Sequence, residues 1–289
     1  MIEWLDQSLW APFADFGFMR RAVVAGIALS ISAGPVGVLL LLRRMSLMGD
    51  ALSHAVLPGA AIGYLVAGLS LWAMGLGGLV AGVLVAFLAG IASRQSRLRE
   101  DASFAGFYLI SLALGVLLVS LRGSSIDLLH VLFGTILAID TSSLHLIAGI
   151  TTVTLVVLAV IYRPLVMECF DPEFLRAVKG RGAFSHYAFL LLLVLNLISG
   201  FQSLGTLMAV GMMMLPALVA RLWTSSLLKM MVVAALAGSA ASIIGLIASF
   251  NLSIASGPSI VLTAGIFYLV SLVIAPGGML GRDRHSGHV

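Results

Sequence analysis

Nine stretches of mostly apolar residues follow one another through the chain: Ala22–Leu42, Ser46–Ala67, Leu71–Ala92, Phe104–Leu121, Ser142–Tyr162, His186–Gln202, Leu204–Arg221, Leu227–Ser249 and Pro258–Ala275. Each approaches the length of about 20 residues that a helix needs to cross the hydrocarbon core of a bilayer. Composition agrees. Hydrophobic residues make up 61% of the chain and charged residues 10%, with a mean hydropathy of +1.14, whereas a soluble domain is about half apolar and a quarter charged. The expected fold is all-α: a polytopic transmembrane helical bundle of about nine spans. The patterns "GAAIG" at 59–63 and "GLVAG" at 78–82 are small-xxx-small sequences that let helices approach closely.

Charge sets the orientation. With nine alternating spans and the 163–184 loop in the cytoplasm, thirteen of the sixteen Lys and Arg residues fall inside, and only Arg20, Arg21 and Arg122 fall outside. This positive-inside bias puts the N-terminus outside and the C-terminus in the cytoplasm. The parity requires that the short apolar segment 124–140 does not cross, so it is expected as a helix on the outer side. The net charge of +4 then reflects cytoplasmic loops and anionic headgroups rather than nucleic acid. The single cysteine, Cys169, excludes an intramolecular disulfide and a cysteine-cluster metal site. Residues 1–18 are acidic, unlike a cleavable signal, and their Trp4, Leu5, Trp10 and Phe13 suit a segment lying in the membrane interface. One membrane domain over 19–277 follows, with a cytoplasmic loop at 163–184 and a cytoplasmic tail at 278–289.

The second apolar run contains an aspartate and a histidine, Asp50 and His54. Four helical residues advance by about 400°, which puts the two side chains on one face about 40° apart. Pro58 follows four residues on and has no N–H for the His54 carbonyl. A carboxylate, an imidazole and a free carbonyl suit a divalent first-row metal such as manganese, zinc or ferrous iron. The residues alone leave a structural role equally open: Asp50 paired with Arg43 or Arg44, His54 satisfied within the bundle, and Pro58 a simple kink. Asp127 and His130, with Asp140 and His145 beyond them, are secondary candidates for an outer mouth or ordinary interfacial residues. Met208, Met212, Met213 and Met214 near Pro216 offer soft ligands for copper(I), but adaptable core packing explains a methionine cluster more simply.

No G-x-x-x-x-G-K-[ST] loop, H-E-x-x-H motif or G-x-S-x-G elbow occurs. Catalysis within this chain is therefore not expected, and ATP would have to be bound elsewhere. The 163–184 loop contains a helix signal: Asp171 caps, Pro172 suits the first position, Glu173 favours the N-terminal dipole, Arg176 and Lys179 follow, and Gly180 terminates. It reads as a solvated connector or as a rigid knob for a partner ATPase.

The stretch "LLRRMSLMGDALSHAVLPG" resembles the second-helix signature of the manganese/zinc/iron permeases of bacterial ABC importers. The resemblance continues through "VLFGTILAID", "FDPEFLRAVKG", "SLGTLMAVGMMMLPALVARL" and "SGPSIVLTAGIFYLVSLVIAP", and covers roughly residues 20 to 277. It implies a type II ABC importer-like permease in the bacterial cytoplasmic (inner) membrane, working as a homodimer. Its partners would be an ATP-binding cassette ATPase subunit and an extracytoplasmic metal-binding protein. It further implies that Asp50 and His54 form an intramembrane metal site and that Asp171–Gly180 is the coupling helix. The cargo would be Mn2+ or Zn2+, with Fe2+ as a third candidate, and no cofactor would be tightly bound. The motif is somewhat closer to manganese-type relatives. The rival readings are a proton-coupled secondary metal transporter, an ABC permease for a metal chelate, and a membrane anchor without transport.

Overall fold

The computed structural model describes residues 11–68, 70–95, 100–120, 139–170 and 182–279. The described residues form α1 (Ala11–Asp15), α2 (Gly17–Leu42), α3 (Met48–Ala55), α4 (Leu57–Ala67), α5 (Leu71–Gln95), α6 (Glu100–Ser120), α7 (Thr141–Phe170), α8 (Gly182–Leu204), α9 (Thr206–Trp223), α10 (Leu227–Leu252) and α11 (Ser256–Ile274). Counting α3 and α4 as one, eight helices among the described residues are long and apolar enough to cross a membrane. The remaining expected span, α9, is apolar but shorter.

Contacts between the helices give their directions. Arg21 meets Ile139, Thr151 meets Ala28, and Arg43 meets Glu168, so α2 and α7 run parallel. Ser111 meets Ala55, and the backbone at Gly115 approaches Pro58, so α6 runs parallel to α3 and α4. The segment 121–138 itself lies outside the described residues, but α6 ends and α7 begins at the same end of the bundle. The parity required by the charge distribution is preserved.

The core is centred on α2, which packs against α7, α9 and α10 and is buried along most of its length. Its hydroxyls are satisfied without water. Ser30 donates to the Gly26 carbonyl at 2.6 Å, and Ser32 donates to the Leu29 carbonyl at 3.2 Å. Between helices, Asn196 donates to Thr154 Oγ1 at 2.8 Å, a polar link of the kind that holds helices together where no water competes.

Small residues set the closest approaches, as the sequence patterns anticipate. In the antiparallel α4–α5 pair, a Cβ on Gly59 would overlap the Gly77 carbonyl, and one on Gly63 would overlap that of Ala73. Gly78 and Gly82 instead make room for Val56 and Val194. Gly59→Leu is expected to force α4 and α5 apart and to lower stability by about 1–3 kcal/mol or more, read as a lower Tm of the detergent-solubilised protein.

Three boundaries differ from the sequence expectation. Helix α2 begins at Gly17 rather than Ala22, so residues 17–18 belong to the first spanning helix and not to an interfacial segment. Helix α7 does not stop at Tyr162 but continues through Pro164 to Phe170, and α8 starts at Gly182 rather than His186. The polar connection therefore shrinks from 163–184 to 171–181. The added turns of α7 carry Glu168, and they stay packed because that carboxylate meets its counter-charge on α2.

The second span is divided into two helices. Val56 separates α3 from α4, yet its N–H donates to the Leu52 carbonyl at 3.2 Å and its own carbonyl accepts from Ala60 at 3.1 Å. Pro58, without an N–H, sits just after this point. Ser111 on α6 donates to the Ala55 carbonyl at 2.9 Å, a side-chain bond of the type that satisfies backbone near a proline in a spanning helix.

Candidate functional site

Asp50 occupies the first turn of α3, where the helix dipole favours a carboxylate, and His54 its last turn. His54 Nε2 lies 3.8 Å from Asp50 Oδ1. That is too long for a hydrogen bond. It is within the reach of one shared ion, since metal bonds to His nitrogen and carboxylate oxygen are about 2.0–2.2 Å each. His54 Nδ1 is buried without a hydrogen-bond partner. The Asp50 side chain is 68% exposed and that of His54 38% exposed. Along the rest of α3 and α4 most residues are buried. The open positions are Leu47, Asp50, Ile62, Val66 and Ala67, with His54, Leu57, Tyr64 and Leu65 half-buried. Among the described residues, no group of three or more His, Cys, Asp or Glu side chains could enclose a metal.

The expected third member of the stripe does not join it. Pro58 is buried, and a Cβ on the facing Gly115 would stand 3.2 Å from its Cδ. Pro58 therefore faces α6 rather than the open side that exposes Asp50.

Asp50 does not pair with Arg43, one of the two partners that the structural alternative offered. Arg43 Nη2 instead donates to Glu168 Oε2 at 2.8 Å. Its guanidinium lies 4.5 Å from the centre of the Phe189 ring. His186 Nδ1 lies 3.3 Å from Glu168 Oε1 and 3.4 Å from Arg43 Nη1, and Ser185 Oγ donates to Glu168 Oε2 at 3.5 Å. The three side chains are almost fully buried, at 6%, 15% and 6% exposure for Arg43, Glu168 and His186. Sequence reasoning missed this cluster. Its one local signal is a lone glutamate at the end of an apolar run, in "RPLVMECF", which makes sense only if the helix continues past its proline.

At the opposite end of the bundle, Arg21 Nε donates to the Ile139 carbonyl at 2.9 Å. Asp140 caps α7 by accepting the Ser143 N–H at 2.8 Å. Hydrogen bonds from the side chain and backbone of Ser143 hold the exposed Asp140 carboxyl below the usual carboxylate range. His145 is exposed in the first turns of α7. Asp127 and His130 lie outside the described residues, as do Asp171, Glu173, Arg176, Lys179 and Gly180 of the expected coupling helix. Met208, Met212 and Met213 are core residues, and the Met213 methyl rests beside Gly49. The methionine cluster is packing material here.

Comparison with known proteins gives one consistent result. Residues 15–275 match the model of the ABC 3 transport family. The manganese import system permease protein ScaB of Streptococcus parasanguinis is 38% identical over 274 residues, covering 95% of this chain and 96% of that protein. The manganese transport system membrane protein MntC of Listeria monocytogenes is 35% identical, covering 91% and 92%. The chelated iron transport system membrane protein YfeD of Yersinia pestis is 33% identical, covering 91% and 86%. Among solved structures, PsaBC from Streptococcus pneumoniae in complex with Fab superposes with a TM-score of 0.82 at 35% identity, covering 96% of this chain and 99% of that one. A metal-chelate type ABC transporter in an inward-facing conformation shares the fold at a TM-score of 0.66 and 17% identity. The chain is a multi-pass permease of the bacterial cytoplasmic membrane and belongs to the ABC 3 transport family.

Proposed function

We propose that this permease carries Mn2+ into the cytoplasm by alternating access, as a homodimer driven by a separate ATPase and loaded by an extracytoplasmic binding protein. The observation that carries the reading is the Asp50–His54 pair, 3.8 Å apart on the open side of α3, whose other residues are all buried. An intramembrane carboxylate left against lipid costs about 2.5–3.5 kcal/mol on insertion scales. A second copy laid against this side would bring a second Asp–His pair to the first. Two oxygens and two nitrogens then replace part of the ion's hydration shell. Open geometry suits cargo, because a transported ion must also leave.

The names of the ScaB and MntC relatives favour manganese, and that of YfeD makes iron the competitor. Asp and His ligands suit zinc as well, and intrinsic affinity rises from manganese to zinc. Preference for manganese would therefore be imposed largely by the binding protein. The 171–180 segment is the coupling helix in this reading, which fits its position between α7 and α8 at the arginine-rich end of the bundle.

The test is uptake of radioactive manganese by the complex in proteoliposomes, with unlabelled zinc and iron as competitors. Uptake should require ATP in the compartment facing the ATPase and persist with an uncoupler present. Uptake that collapses with the uncoupler and ignores ATP would establish the proton-coupled alternative instead.

A further inference from the structure

Arg43, Glu168 and His186 come from three different helices and meet at the end of the bundle that the charge bias places in the cytoplasm. Glu168 stands two residues before the end of α7, and His186 lies in the first turns of α8. They therefore hold the two stems of the 171–181 segment. Arg43 is the C-cap of α2, seven residues before Asp50. The cluster joins both stems to the start of the chain segment that carries the Asp–His pair.

The link from Arg43 to α3 is stiff. The Arg44 N–H donates to the Leu41 carbonyl at 3.1 Å and the Met45 N–H to the Leu40 carbonyl at 3.0 Å, the paired bonds of a Schellman turn. Arg44 takes the left-handed position at φ 59°, where glycine is the usual residue and any other carries backbone strain. Met48 N–H then donates to the Met45 carbonyl at 3.0 Å, and α3 begins. No unbonded linker separates the buried arginine from the first turn of the Asp50 helix.

We propose that the Arg43–Glu168–His186 cluster is the joint that transmits movement of the adjoining ends of α7 and α8 to the Asp50–His54 helix, so that these three are positioning residues for transport. The inference rests on the functional reading above. A buried pair is a suitable joint because it resists being pulled apart: separating the charges leaves each without solvent or partner. Both stems then move with Arg43, and Arg43 moves the start of α3 through the closed turn.

A structural anchor and a coupling joint make different predictions for Arg43→Gln/Glu168→Gln. That double variant removes both charges together and leaves no unpaired ion. The coupling role predicts that it reaches the membrane with its ATPase and still hydrolyses ATP, while manganese ions moved per ATP fall by on the order of tenfold. His186→Gln keeps the Arg43–Glu168 pair and should lower the same ratio less, by about threefold, so it decides the matter should the double variant fail to accumulate. An unchanged ratio in both variants, or in His186→Gln alone where the double variant is absent from the membrane, overturns the coupling role and leaves the transport reading intact. Absence of ATP-dependent uptake by the unmodified complex overturns the transport reading, and the coupling role with it.

Discussion

Asp50→Ala/His54→Ala is expected to lose ATP-dependent manganese uptake by about a hundredfold or more while the permease still assembles in the membrane. The sign of each effect follows from exposure. The Asp50 side chain is 68% open and makes no hydrogen bond within reach of His54, so its removal breaks little within the subunit. Deleting a carboxylate from a membrane span even favours insertion, by up to about 2.5–3.5 kcal/mol. Transport has the opposite sensitivity. An ion entering a low-dielectric path gives up water and needs charged or polar ligands in its place. Loss of about 3 kcal/mol of that compensation corresponds to roughly a hundredfold in rate. Asp50→Asn, which keeps the shape and one oxygen, should fall between the parent and the double variant. The measurement is initial uptake rate in proteoliposomes, normalised to permease content. Loss of protein from the membrane in step with loss of uptake would instead make the pair structural.

Glu168→Ala is expected to have the largest effect on stability. It leaves the Arg43 guanidinium, with a side chain only 6% exposed, without its 2.8 Å partner. Breaking a buried pair from one side costs about 3–5 kcal/mol, because the remaining charge cannot recover its hydration. The Phe189 ring 4.5 Å away compensates only a part of this, since a cation–π contact is worth about 2 kcal/mol when desolvated. The variant should show a lower Tm in detergent and reduced membrane levels. Adding Arg43→Gln should restore much of both, since no unpaired charge then remains. A Glu168→Ala protein as stable as the parent would mean that water reaches the cluster and that the pair is weak.

The contrast between these two variants reflects what could be read locally. The crossing segments and the close α4–α5 approach at Gly59 and Gly77 depend on hydropathy and on residue spacing along one strand of sequence. The shared face of Asp50 and His54 is likewise set by a four-residue separation on one helix. The inward position of Pro58 depends on the space that Gly115 leaves on another helix. The partner of Arg43 lies 125 residues away in sequence, and nothing near Arg43 indicates it. The same long-range pair explains the misplaced end of α7. Arg163 and Pro164 look like a helix stop, and the helix continues because Glu168 is neutralised from α2. Its effect reaches the outline of the 171–181 segment, which appears as a longer loop when the pair is unknown.

Asp50 and His54 are proposed to hold the ion during transit. This role is tested most directly by an anomalous difference map, collected at the manganese edge, of the assembled complex stalled with a non-hydrolysable ATP analogue. One strong peak is expected between two permease copies, within bonding distance of Asp50 and His54 from each, and it should be lost in Asp50→Ala/His54→Ala. A peak elsewhere in the pathway, or one unchanged by that double substitution, would contradict it.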